Sequence, residues 1–482
     1  MLDIRRVLAV FLQMLSSLQN VVDGAGDFTA LEQGVCGTVR DTANELLQLL
    51  LEGTDRKLQE ERDKTRWALI HRKPRTLVTT VGEITILRRY YRDKQTGERR
   101  FLLDDALGLE PHRRLSPQLR SQAIALAMEM SYRRAASLLQ AWVPEVSAMA
   151  IWEEVQRLGE EERAKAERAR EEVFGQGIPT PGKRAVETLH VEADGVYVRR
   201  RRRGGEDKAH LEVKLAVAYE GKEAQGSNRR RALVGRHVVA GTEEGESFWE
   251  QAVTEFGRVW DWSSVRRCWL GTDGAAWAKQ GMCMLPGARH RLDPFHLRQA
   301  LVRALGRETK VYRKVWEALS AEDGPRVEAL LTAAAKRSQG TKKKQIEQLK
   351  GYLKNHWDGI VSSDAAVSLG AIEGQVFHHV ARRMKRHGAR WSERGADALV
   401  RLMAARANGE PVMKASEKRE PHLATRGMAQ EAVVTDAEMT RKVEAAASWL
   451  EAHMPALAGP HASRPWVKYV LRELARLPHT IA

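Results

Sequence analysis

The chain has 482 residues and a formal net charge of +16, from 79 Lys and Arg against 63 Asp and Glu. With 29% charged and 43% hydrophobic residues it reads as neither a disordered tail nor a membrane protein, and its length is enough for about three domains with large cores. The three cysteines, Cys36, Cys268 and Cys283, form no CxxC pair, so a disulfide framework and a cysteine zinc site are excluded; a reducing, cytoplasmic compartment is expected. The positive surplus points to a polyanionic partner, nucleic acid first.

The first residues resemble a signal peptide, with Arg5 and Arg6 before an apolar run. Gln13, Ser16 and Ser17 break that run, and no small-residue cleavage site follows closely. Val7, Phe11, Met14, Leu15 and Leu18 recur at helical spacing, so an amphipathic helix is expected and no membrane span. Residues 1–70 read as N-terminal helices, with Asp27 able to cap one of them. Residues 71–110 hold a small β-hairpin or sheet: from Thr76 the pattern alternates and is rich in β-branched residues. Residues 111–174 are helical again. Ser116-Pro117 is an N-cap followed by a proline suited to the first helical turn. Helices are expected over 118–129, 132–142 and 147–158, with a charged linker helix over 160–172. This stretch fits a helix-turn-helix, with a turn at 143–146 and a recognition helix at 147–158; a plain helical bundle is the alternative. Glu153, Glu154, Gln156 and Arg157 are expected on the exposed face of that helix.

A Gly/Pro-rich boundary at 175–183 opens an α/β region. Strands are expected over 188–199, 210–220 and 231–240, then a helix over 245–260, a strand over 265–271 and a short strand near 288–292. Residues 185–296 and 371–408 read as two parts of one core. Residues 297–370 are a basic helical insertion, and 409–482 a polar linker with helices over 435–453 and 463–476.

Three carboxylates fit this order. Asp194 lies in the first strand and Asp273 ends the fourth. Were those strands neighbours, as in a ribonuclease-H-like sheet, the two acids would face each other. Glu373 opens a later helix that can supply a third acid. Such a set suits phosphodiester chemistry, because Mg²⁺ prefers oxygen ligands and two ions can stabilise the attacking and leaving oxygens. Each acid also has an ordinary explanation: Asp194-Gly195 as a turn, Asp273-Gly274 as a cap, Glu373 as a first-turn glutamate favoured by the helix dipole. Asp293 and His296, in the run DPFH, have two readings as well. Asp293 is an N-cap or the rival to Asp273 as second ligand; His296 is a core residue or lies near the scissile phosphate.

The chain resembles bacterial insertion-sequence transposases of the ISLre group, within the DDE/D superfamily. The matching stretches are TTVGEITILRRYYRD, FLLDDALGL and SYRRAASLL, then VEADGVYV, LAVAYEG, LGTDGAAWAKQG, LDPFHLRQAL and the block AIEGQVFHHVARRMKRHGARWSERGADALVRLMAARANG. They span about Thr76 to Gly409. The resemblance implies a multidomain α+β protein: a ribonuclease-H-like α/β catalytic domain with a helical insertion, preceded by a small β segment and a helical DNA-binding region. It implies Asp194, Asp273 and Glu373 as catalytic metal ligands, two Mg²⁺ (or Mn²⁺) ions, and a Mutator-like D/C-x-x-H motif in Asp293 and His296. The block departs from the group after Met384, where KRHGAR replaces a serine-rich stretch. The implied partners are DNA, as terminal inverted repeats and target, and further copies of the chain assembled on it, with no membrane.

Phosphate contacts are expected from Arg133, Arg134 and Arg157 in the helical region, and from Lys342, Lys343 and Lys344 in a turn of the insertion. Around the third acid they are expected from Arg382, Arg383, Lys385, Arg386 and Arg390. Trp391 is either core or a stacking platform for an unpaired base. The arginine run 199–203 reads as a hairpin tip. Residues 297–355 carry a net +8 and 376–406 a net +6, so nearly all of the surplus brackets Glu373. The expected activity is strand cleavage and strand transfer; a ribonuclease-H-fold nuclease that cuts without joining, and a DNA-binding protein with idle acids, are the alternatives.

Overall fold

The computed structural model describes residues 4–201, 209–224, 231–307, 309–361 and 369–411. The two expected tail helices, the polar stretch before them and the far end of the arginine run lie outside those residues.

Two helices open the chain, α1 (Ile4–Gly24) and α2 (Phe28–Glu61). Asp27 caps α2, its carboxylate accepting from the Ala30 amide at 2.7 Å. By length and composition α1 is the one helix among the described residues apolar enough to cross a membrane, with a mean hydropathy of 1.2; it packs along α2. Strands β1 (Trp67–Thr79), β2 (Gly82–Asp93) and β3 (Arg99–Arg100) form an antiparallel sheet. β1 starts nine residues before the expected onset, because its charged first half pairs with β2 (Trp67 opposite Asp93) while carrying little hydrophobic alternation.

Helices α3 (Leu102–Leu107), α4 (Pro117–Glu129), α5 (Tyr132–Gln140) and α6 (Ala148–Arg170) follow. Ser116, Ser131 and Ser147 cap the last three through their hydroxyls. α6 joins the expected recognition helix and linker helix into one rod. It is not a free rod: Gly159 lies so close to Ala398 that a Cβ there would sit 2.3 Å from the Ala398 Cα.

The main sheet holds β4 (Thr188–Arg199), β5 (His210–Tyr219), β8 (His237–Gly241), β9 (Arg267–Thr272) and β10 (Ala288–Leu292), in the order β10-β9-β4-β5-β8. β4 is central, antiparallel to β5 and parallel to β9; β8 is antiparallel to β5 and β10 parallel to β9. The single strand expected over 231–240 is two, β7 (Arg231–Val234) and β8, broken at Gly235 with φ 63°. β7 pairs instead with β6 (Gly221–Ala224) in a separate ribbon.

Side chains alternate across β4. Leu189, Val191 and Ala193 pack under α7 (Gly245–Gly257) against Phe248, Trp249 and Phe256. Val196 and Val198 face the other way, into a core shared with α4, α5, α6 and α16 (Glu393–Ala407). The helical region therefore shares one core with the sheet rather than standing apart. After α8 (Ala276–Lys279) and β10, the insertion runs through α9 (Pro294–Leu305), α10 (Lys310–Ser320), α11 (Gly324–Lys336), α12 (Gly340–Asn355) and α13 (Trp357–Ile360), around its own core of Leu301, Val315, Leu331 and Leu349. The chain returns to the sheet as α14 (Ile372–Val376), a π-helical turn (Phe377–Ala381) and α15 (Arg382–Met384). The whole is a mixed α+β protein with three sheets among the described residues.

The contact of α6 with α16 gives a stability test. Gly159→Ala is expected to cost about 1–3 kcal/mol by overpacking, read in urea unfolding. Gly37→Ala, in α2 with nothing within 4 Å of its Cβ position, is expected to be neutral or stabilising by up to about 1 kcal/mol. Equal effects at the two positions would contradict the close approach.

Candidate metal centre and nucleic-acid interface

β4 presents Glu192 and Asp194 on the same face, two residues apart. Asp194 is buried, and its Oδ1 accepts from the Gly195 amide at 2.7 Å. Around it come His296 from the first turn of α9 and Glu373 from α14. One ligand atom from each of Asp194, His296 and Glu373 lies within 4.8 Å of the others. Two hard carboxylates and one imidazole converging at that range have the chemistry to hold a divalent cation.

Asp273 lies at the end of β9, one step beyond the Ala193–Thr272 register pair, so it neighbours Asp194 as expected. It stands outside the close group; its Oδ1 accepts from the Ala275 amide at 2.8 Å. Asp293 is buried and caps α9 through the Phe295 amide at 3.1 Å. Its other oxygen lies 2.7 Å from His296 Nδ1. Asp293 thus orients the imidazole and leaves Nε2 for the cluster, the arrangement of an outer-shell carboxylate on a ligating histidine. His378 and His379 do not join the group; His379 Nε2 lies 3.1 Å from Gln375 Oε1.

Burial pushes the Asp194 carboxyl up to about 6, helped by the charges of Asp273 and Glu373 and opposed by His296. The hydrogen bond to Asp293 raises His296. Like charges gathered in a desolvated pocket are what a cation would relieve.

Glu192 has no expectation behind it, and it fixes the third acid. It is fully buried. Tyr219 donates its hydroxyl to Glu192 at 2.5 Å, and the Gly370, Ala371 and Ile372 amides donate at 2.7, 3.0 and 3.3 Å. These are the open N–H groups at the start of α14, where a negative charge is favoured. Gly271 makes the space: a Cβ there would meet Glu192 Cγ at 3.0 Å. The insertion reaches the site too. Tyr352 of α12 donates to the Asp273 carbonyl at 3.1 Å, and the His356 ring fills the space beside Gly274.

Of the expected phosphate contacts, Arg133, Arg134, Lys342, Lys343, Lys344, Lys385, Arg386 and Arg390 are exposed. The three lysines stand in the first turns of α12, not in a turn between helices, because Ile346, Leu349 and Leu353 continue a buried helical stripe behind them. Four residues depart from expectation. Glu154 and Gln156 are buried, leaving Glu153 and the half-buried Arg157 on that stretch. Arg157 is drawn to Glu154 at 3.0 Å and Glu161 at 2.6 Å, which takes it off the phosphate-binding set. Arg383 is buried, donates to the Ala127 carbonyl at 2.7 Å and lies over the Trp391 ring. Trp391 is core, its indole N–H bonded to the Met384 carbonyl at 3.0 Å. Arg382 is exposed but paired with Glu129 at 2.9 Å.

Residues 22–420 match an uncharacterised protein family, UPF0236, and the chain belongs to that family. It is 26% identical over 370 residues to a UPF0236 protein of Caldanaerobacter subterraneus subsp. tengcongensis, covering 76% of this chain and 75% of the relative. A second protein of that strain, whose name joins eleven locus designations, is 24% identical over 82% of this chain and 81% of its own length. A UPF0236 protein of Streptococcus gallolyticus, named for the vanSb 3′ region, is 23% identical over 82% of this chain and 86% of its own.

Two measurements test the centre. Asp194, pushed up to about 6, and His296, raised by its bond to Asp293, each hold a proton at low pH that a cation must displace, so Mn²⁺ affinity measured by titration is expected to fall about tenfold or more per pH unit below pH 6 and to level off only above the His296 titration. An affinity flat from pH 5 to 7 would remove Asp194 and His296 from the ligand set. Glu192→Gln keeps the shape but turns an amide N–H₂ toward backbone donors; it is expected to weaken Mn²⁺ about 10- to 100-fold. Unchanged Mn²⁺ binding in a folded variant would show that Glu192 does not set Glu373.

Proposed function

We propose that this protein is a DNA transposase that cleaves element ends and joins them to target DNA with an Asp194, Asp273, Glu373 triad. The convergence of Asp194, His296 and Glu373 at the centre of the main sheet carries this reading. The sheet order supports it: three antiparallel strands with the first at the centre, then two strands parallel to it, is the layout of a ribonuclease-H-like core. The relatives support it as well. One name spread over eleven locus designations of a single strain is what a gene that copies itself around a genome leaves behind.

In this reading Asp194 and Glu373 would hold Mg²⁺ or Mn²⁺ with His296, and Asp273, whose Oδ1 accepts from the Ala275 amide, would supply the further carboxylate from β9. Bound cations would supply charge neutralisation at the reacting phosphate and a more acidic attacking water. Water attacks the phosphorus at the element end; the bond to the 3′ oxygen breaks, and a 3′-hydroxyl is freed. That hydroxyl then attacks a target phosphodiester, forming a new P–O bond as the target's own 3′ oxygen leaves. Asp293 keeps His296 aimed through both steps. The exposed cations of α12 and of the stretch after α15 hold the strands, and the work is positioning and charge stabilisation.

The test is an incubation of the full chain with element-end DNA, a plasmid target and Mn²⁺. Joined products are expected, lost in Asp194→Asn and Glu373→Gln. Asp293→Asn is expected to lower joining about 10- to 100-fold, the usual cost of an outer-shell partner. Loss as complete as in Asp194→Asn would make Asp293 a ligand. Cut ends without joining would favour a nuclease, and binding without cleavage, indifferent to Asp194→Asn, a DNA-binding protein.

A further inference from the structure

The outer face of the insertion carries aromatic and basic residues that the proposed chemistry does not use. Along α9, Phe295, Arg298 and Val302 recur at helical spacing, yet they line an open groove instead of a core. Phe295 is 47% exposed and Val302 37%. Across the groove α10 contributes Tyr312 and Trp316, whose rings lie 6.4 Å apart and within 7° of parallel. The Arg298 guanidinium sits 5.1 Å from the Trp316 ring centroid. Arg307 and Lys314 add charge at the rim. The acid among the lining residues, Glu317, faces Arg326 at 3.8 Å.

Flat rings interleaved with cations suit one ligand class. Bases that have left a duplex offer π faces to stack and phosphates to pair, while bases within a duplex hide those faces. The groove also begins at the metal centre: the Phe295 ring lies 5.4 Å from the ring of His296, at 87°. From Phe295 to Val302 the helix rises about 10 Å, the length of about three stacked nucleotides.

We infer that this groove between α9 and α10 binds a short unpaired stretch of single-stranded DNA leading into the metal centre, with Phe295, Tyr312 and Trp316 stacking its bases. The inference rests on the transposase reading, since it names the form in which that site's substrate arrives.

The test is anisotropy titration of the full chain with fluorescein-labelled oligo(dT) of about 15 nucleotides, and with a blunt duplex of the same length. Phe295→Ala and Trp316→Ala are each expected to weaken oligo(dT) about tenfold or more, with the duplex changed by about twofold at most. Trp316→Phe is expected to keep most of the affinity, because a π face remains. Should Trp316→Ala unfold, Phe295→Ala and Arg298→Gln decide, both being at exposed positions. Equal losses for both ligands, or no loss for either, would overturn the groove. Joining activity in a protein whose oligo(dT) binding ignores these changes would refute the groove alone. Selective oligo(dT) binding in a protein that never cuts or joins would refute the transposase reading and leave the groove standing.

Discussion

The arrangement depends on one buried carboxylate outside the close group of Asp194, His296 and Glu373. Glu192 brings a negative charge into the interior, which is costly unless it is fully hydrogen-bonded. Four donors meet it: the Tyr219 hydroxyl from β5 and three amides at the head of α14. Those amides would otherwise be open ends of a helix in the interior, so each side answers the other's desolvation. The lock ties β4, β5 and α14 together and fixes where Glu373 begins. It also crowds β9, where a Cβ at Gly271 would press on the Glu192 Cγ at 3.0 Å. Asp194 then follows from pleat geometry, two residues along on the same face.

The insertion is wired into the same place at both ends. It starts with His296, held by Asp293, and the chain returns from it to Glu373. Midway, Tyr352 and His356 reach back to the loop of Asp273. A rigid shift of the insertion would therefore move His296 and the Asp273 loop together against the sheet. The close group of Asp194, His296 and Glu373 is supplied by two bodies, one sheet-based and one helical, each with its own core.

What could be read from the sequence was local. β4 falls where the strand pattern put it, and Asp27 and Ser116 cap as their side-chain chemistry allows. Strand and helix order pointed to Asp194, Asp273 and Glu373, of which Asp273 stands outside the close group; His296 had only the run DPFH, with a core reading beside the functional one. Glu192 was not legible, since an acid inside an apolar strand has no signature until its backbone partners at the head of α14, nearly 180 residues away, are known. The same limit hid the fate of α6. Its 3.6-residue pattern marks one buried face, but Glu154 and Gln156 are buried too, the first among Arg113, Arg120 and Arg157. Gly235, a single residue with positive φ, was enough to divert β7 out of the main sheet.

Charge counting along the chain shows the same distinction between number and place. The segment 376–406 is strongly basic, yet part of that charge is spent inside the protein. Arg383 and Arg401 are buried, the latter held by Asp397 at 2.8 Å and Gln251 at 3.1 Å. Arg382 and Arg406 share Glu129, at 2.9 and 2.6 Å. These arginines fasten α15 and α16 to α4 and α7; Arg383 and Arg401 do so from the interior, Arg382 and Arg406 from the surface. Lys385, Arg386 and Arg390 are exposed, as are Arg382, Arg394 and Arg406, so six of the eight cations of 376–406 reach the surface and two are built into the core.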